Sequence, residues 1–360
     1  QLYGDGSNLT NVGSASTDAW AQDTWGNLVA GTGAGAALDG TNSACNILIG
    51  PDAGKSLNAG GSNIIMGRDA GCASTGGDFN TILNWEAGLN SQGSENIFIG
   101  KYAGKGVGGS AWSGEYNIAM GSAAGCDLDE GGHNIFLGKY SGQNVNSGDS
   151  NIAIGCCAGM CITTGSYNIA IGDKTISANN ADASYNIALG YLAGNALTSG
   201  VKNVIIGCDA GSVLGCGCCN VFIGVGAGKG CANDVTAFHN IAIGSFAGNC
   251  IHSDAEENIL IGNYAGKCIC SNYNVAIGND ALMCHSGGAN IALGHKALQG
   301  TGGATLADNT GVWNIAIGCC AIANLTSGDE NIAIGKYAGK CATTGEQNIF
   351  MGYYVASGVT

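Results

Sequence analysis

Eighteen cysteines and five histidines are the residues of this 360-residue chain best able to do chemistry. Thiols pair as disulfides, ligate soft metals or act as nucleophiles, and imidazole ligates metals or moves protons. Their spacing favours little of this. Cys156, Cys157 and Cys161, like Cys216, Cys218 and Cys219, lack the paired Cys-x-x-Cys units of structural zinc sites. His133, His239, His252, His285 and His295 have no fixed acidic or cysteine partner, and no Ser-His-Asp grouping, zinc-protease helix or phosphate loop can be assembled. The expectation is a chain without catalysis, cofactor or metal. Cys161, Cys250, Cys268, Cys284 and Cys341 each lie ten residues after a recurring asparagine, and Cys250, Cys268 and Cys284 come from consecutive repeats. Stacked about 4.8 Å apart, they suit either disulfides between neighbours or small apolar filler, and geometry decides.

The element that must position these residues is a repeat. Asn-Ile-Ala-Ile-Gly, two variable residues, then Ala-Gly recurs with its leading asparagine at 18 positions from Asn46 to Asn348. Most intervals are 17 residues, and the rest run from 16 to 24. The unit is constant while its connection is elastic. It is too short for a helix pair or a propeller blade, and fits one coil of a parallel β-solenoid. In residues 331–335 Ile332 and Ile334 share one strand face and Ala333 takes the other. Gly335 permits a sharp corner, and Ala338-Gly339 opens a second side expected to carry a second short strand. Stacking places the asparagines Asn151, Asn168, Asn186, Asn331 and Asn348 in an amide ladder with the rest of their set. Eighteen coils at strand spacing predict a rod on the order of 80 Å long.

The middle strand residue is never polar. Leu48, Ile65, Phe98, Phe136, Ile205, Phe222, Leu260 and Phe350 are its larger members, and alanine fills many other coils. A strand apolar on both faces is covered on both sides. A 17-residue loop has little chain to spare, so these eight residues are expected at an interface between identical chains gathered round a shared axis. Longer connections carry Trp112, Phe238 and Trp313, candidate receptor or glycan contacts unless they fold back over the coil edge. Tyr116, Tyr167, Tyr185, Tyr273 and Trp313 directly precede a leading asparagine and form a discontinuous aromatic stripe.

Composition limits the alternatives. Gly supplies 65 residues and Pro one, and charged residues are 11% against roughly 25% in an average soluble protein, which excludes a coiled coil and collagen. A formal charge of −14 gives no footprint for nucleic acid or anionic lipid. No stretch reads as a transmembrane helix, so membrane insertion is not expected. Residues 1–45 lack the repeat and are read as a cap or junction, with the solenoid at 46–360.

The phrase Asn-Ile-Ala-Ile-Gly-x-x-Ala-Gly-x-x-x-Thr-Thr-Gly, clearest at residues 151–165 and 331–345, resembles repeats in tail fibres and receptor-binding appendages of phages and large viruses. It is also similar to the head β-rolls of trimeric autotransporter adhesins. Gly4-Asp5-Gly6-Ser7-Asn8-Leu9-Thr10 resembles a segment common in the stalks of such fibres. The resemblance implies an all-β homotrimeric fibre subunit, outside the cell or on a virion surface, acting as rigid spacer and attachment element. Its implied partners are copies of itself, other fibre or virion proteins and a cell-surface glycan or receptor. The alternative is a self-assembling extracellular filament with no receptor role. The cysteine count exceeds that expected of fibres matured in a reducing cytosol, and keeps an exported filament or a eukaryotic virus in view.

Overall fold

The computed structural model describes residues 21–39, 42–106, 113–178, 182–231, 236–252, 255–300 and 309–358. The chain is all-β, a parallel β-solenoid of about 18 coils, with no helix among the described residues. It divides into two compact units, residues 1–166 and 167–360.

In the first unit eight three-residue strands, from Leu28–Ala30 to Ile152–Ile154, pair in parallel with equivalent residues facing one another: Leu48 on Ile65, Phe98 on Ala119, Phe136 on Ala153. The stack begins one coil earlier than the repeat suggests. Leu28–Ala30 pairs with Ile47–Ile49, and Asn27 accepts from the Asn46 backbone N–H at 2.9 Å, so the 45/46 boundary is not a structural one. A two-residue strand, Ala21–Gln22, pairs antiparallel with Leu28–Ala30 on the edge away from Ile47–Ile49. In the second unit eleven strands, from Ile169–Ile171 to Ile349–Met351, keep the same register: Ile205 on Phe222, Phe222 on Ala242, Ala333 on Phe350.

Each coil holds one strand, not the two expected. The second side is a run of overlapping turns. Ala338 N–H donates to Gly335 O at 3.2 Å and Lys340 N–H to Tyr337 O at 3.3 Å. Tyr337 at φ 60° and Gly339 at φ 58° take the third position of these turns, the left-handed place of a type II turn. Pro51, the sole proline, occupies the second position of the equivalent turn closed by Ala53 N–H and Gly50 O, where its fixed φ is favoured. Alternating handedness points successive N–H groups toward opposite neighbours: Tyr337 donates to Cys319 O below, and Ile322 to Ala338 O above. Both sides of the coil are therefore hydrogen-bonded through the stack without a second extended strand. At the strand end Gly335 has φ 128°, and a Cβ there would lie 2.8 Å from the Gly352 carbonyl carbon of the next coil. Asn84 replaces this glycine once and keeps a positive φ of 104°.

The asparagine ladder forms within each unit. Each asparagine Oδ1 accepts the backbone N–H of the next at 2.8 to 3.1 Å, in unit one from Asn27 to Asn151 and in unit two from Asn168 through Asn186 and Asn331 to Asn348. Every member but Asn348 is buried. The amide Nδ2 groups also cap carbonyls of the later glycines, as Asn331 does with Gly345 at 2.7 Å.

The middle strand residues lie inside their own coil, which corrects their assignment to an interface. Leu48, Ile65, Phe98, Phe136, Ile205, Phe222 and Leu260 have at most 1% of their surface accessible in the single chain, and Phe350, on the last strand, is half-buried. The turn side supplies the cover. Ala153 and Ile162 both approach Gly159, and Ala119 and Leu128 both approach Gly125. Eleven residues after the asparagine, Leu128, Ile162, Leu197 and Ile251 accompany a middle alanine, Leu57, Leu214 and Ile269 accompany Leu48, Ile205 and Leu260, and Ala342 accompanies Ala333, all of them buried. The two positions share one closed interior, filled from within the chain.

Candidate functional site

Strand alternation makes the flanking residues, not the middle one, face outward. From Ile47–Ile49 to Ile349–Met351 all of them are Ile, Val, Leu or Met except Thr81. They are half-exposed, with Ile64 at 38%, Ile171 at 38% and Ile277 at 40%. Soluble surfaces mostly scatter apolar side chains singly, whereas here they line up strand after strand. In the second unit alone, eleven strands about 4.8 Å apart and three residues of about 3.3 Å each give a patch on the order of 500 Å². Doubled over two partners this reaches the roughly 1,000 Å² of a specific interface.

Beside this strip runs the residue before each asparagine. It is left-handed in every coil, as in Tyr116 at φ 59° and Trp313 at φ 57°, and this turn directs its side chain outward while the asparagine amide goes in. Tyr116 stacks on His133 at 4.9 Å and Tyr167 on Tyr185 at 5.0 Å. The aromatics therefore cover one another along the surface. Trp313 is 62% exposed and, with Tyr273, Ala289 and Val312, lines an open groove of about 340 Å³. Trp313 thus stands where a flat, weakly polar ligand can reach it. Phe238 does not: it sits half-buried in register between Cys218 and Glu256 as part of the stack, not on a projecting loop. Trp112 lies outside the described residues.

Cys250, Cys268 and Cys284 are half-buried thiols at the margin of the core. The hydrogen bond from Cys268 pulls Cys284 down to about 7, with help from the Lys267 ammonium against the opposing effect of burial. The same bond pushes Cys268 up. Cys231, which the repeat position did not single out, joins this column through a hydrogen bond with Cys250, and burial chiefly raises its thiol to about 12.

The histidines are not all without partners. His295 lies against Cys319 and Cys320, its ring nitrogen and their sulfurs all within 4.8 Å of one another. The signal was present: His295 and Cys319 both follow the strand-end glycine, Gly294 and Gly318, of successive coils. His285 is fully buried, its Nδ1 accepting Gly287 N–H at 3.2 Å while Nε2 has no partner. Burial holds it down at about 4.

No protein-family model, curated protein or solved structure matches the chain.

Proposed function

We propose that the chain is a structural fibre subunit that associates with copies of itself through the outward aliphatic strip, as spacer and attachment element of a virus or phage appendage. The observation that carries this reading is the strip itself: paired Ile, Val, Leu or Met side chains on coil after coil, left half-exposed when the interior is already filled from within the chain. A second copy is the natural cover, because identical coils present the same spacing and the same flat profile to one another. Three copies round one axis is the arrangement that the fibre resemblance implies. The exposed ridge bearing Tyr273 and Trp313 is assigned the contact with a surface glycan or receptor. The extracellular or virion location follows from the same reading.

Native mass measurement tests it. The wild-type chain is expected as a trimer, and Ile259→Lys with Ile277→Lys, both outward and about 40% exposed, is expected to give a folded monomer with unchanged far-ultraviolet circular dichroism. A wild-type chain that stays monomeric at micromolar concentration overturns the proposal.

A further inference from the structure

We propose that His295, Cys319 and Cys320 form a binding site for a thiophilic divalent cation of the Zn²⁺ and Cd²⁺ class, which staples two successive coils. It is the one such trio of His, Cys, Asp or Glu among the described residues.

The distances suit the ion. Tetrahedral zinc with Zn–S near 2.3 Å places two sulfur ligands about 3.8 Å apart. Cys319 Sγ and Cys320 Sγ are 3.6 Å apart. Two thiolates and a neutral imidazole balance the ion's charge, and soft sulfur with imidazole selects zinc-like ions over hard oxygen-seeking ones. Cys320 is left-handed at φ 55°, and this turn sets its thiol beside that of Cys319. The backbone fixes the histidine below: Cys320 N–H donates to His295 O at 2.9 Å. His295 is exposed and the cysteines are half-buried, so the fourth coordination position opens to water. Binding releases the two thiol protons to solvent.

The chain contains its own comparison. Cys156 and Cys157 form the same vicinal pair, 3.4 Å apart, and Cys157 N–H donates to Lys139 O as Cys320 does to His295 O. Lys139 stands where His295 does and brings a cation in place of a ligand. The staple also has a location that explains its use. It joins coils whose asparagines, Asn290 and Asn314, are 24 residues apart, the longest interval in the repeat. A clip across a long connection removes more freedom from the unfolded chain than one across a short connection.

The test titrates the reduced full-length protein with Co²⁺, then displaces it with Zn²⁺ or Cd²⁺. Wild type is expected to give tetrahedral Co²⁺ d–d bands and a thiolate-to-cobalt charge-transfer band, with a tight class of one equivalent. His295→Ala, at an exposed position, should weaken that class at least about tenfold. Cys319→Ser should abolish it, and Cys156→Ser should leave it unchanged. Melting of each metal-free variant establishes that it is folded. If His295→Ala and Cys319→Ser both retain the wild-type bands and stoichiometry, the ion is held by other thiols, such as the Cys231 to Cys284 column, and the proposal fails. It fails equally if no tetrahedral thiolate spectrum appears.

Discussion

Removing one rung of the amide ladder in the second unit should uncouple two coils. Asn203 Nδ2 donates to Asn186 Oδ1 at 3.0 Å and to Gly217 O at 2.8 Å; its Oδ1 accepts Asn220 N–H and Nδ2, both at 3.0 Å. Asn203→Ala deletes all four bonds and leaves the backbone bond from Asn203 N–H to Asn186 Oδ1 in place. Two buried groups lose a partner that water cannot replace, the Asn220 N–H and the Gly217 carbonyl. At about 1 to 3 kcal/mol for each of the two orphaned buried groups, the loss is roughly 2 to 6 kcal/mol. A solenoid opens locally, so the readout is hydrogen exchange in the peptide spanning 203–223. Protection there should fall by roughly 30-fold at the least and on the order of 10,000-fold at the most, one decade per 1.4 kcal/mol. The control is Asn263→Ala, an exposed asparagine whose Nδ2 reaches Ser245 O at 3.2 Å. It is expected to change stability by under about 0.5 kcal/mol. A ladder variant whose exchange shifts less than tenfold, or no more than the control, would refute the view that the amides set coil cohesion.

Acid should act through His285. Its folded value, about 4, lies below the ordinary 6.5, so the stability it contributes is complete above 6.5 and is lost as pH falls toward 4. Between pH 7 and pH 5 that amounts to about 2 kcal/mol, and His285→Leu should flatten the denaturation-midpoint profile by that much; equal slopes in the two proteins would exclude the residue as a source. Gly142→Ala should cost roughly 2 to 4 kcal/mol, because a Cβ at φ 56° meets the Phe136 ring, with its Cγ at 2.7 Å. A loss under 1 kcal/mol in chemical denaturation would show that the Phe136 layer has slack.

The repeat, its parallel stacking, the ladder and the corner glycines were readable because each depends on a residue type with few substitutes. Asparagine both accepts and donates at that spacing, and a φ near 130° against a neighbouring carbonyl suits glycine, replaced once by Asn84 at φ 104°. The assignment of strand faces was not readable from polarity, since both faces are apolar. The distinguishing cue is volume. The inner position ranges from Ala153 to Phe136, whereas the outer positions keep to Ile, Val, Leu or Met on every strand from Ile47–Ile49 onward but that of Thr81. The coil at Asn27 was overlooked because Leu28, Val29 and Ala30 replace Ile-Ala-Ile, although Gly31 and Ala34-Gly35 keep the spacing. The second strand was wrongly expected because alternating handedness leaves no periodic polarity to read.

The connections between rungs differ in length, yet the rungs do not register it. Asn290 lies 16 residues after Asn274 and Asn314 lies 24 after Asn290, while the two N–H to Oδ1 distances are 3.0 and 2.8 Å. The length of a connection does not accumulate as axial error in the ladder. Such a scaffold can acquire, trade or lose surface ornaments one storey at a time while the spacing of its floors is undisturbed.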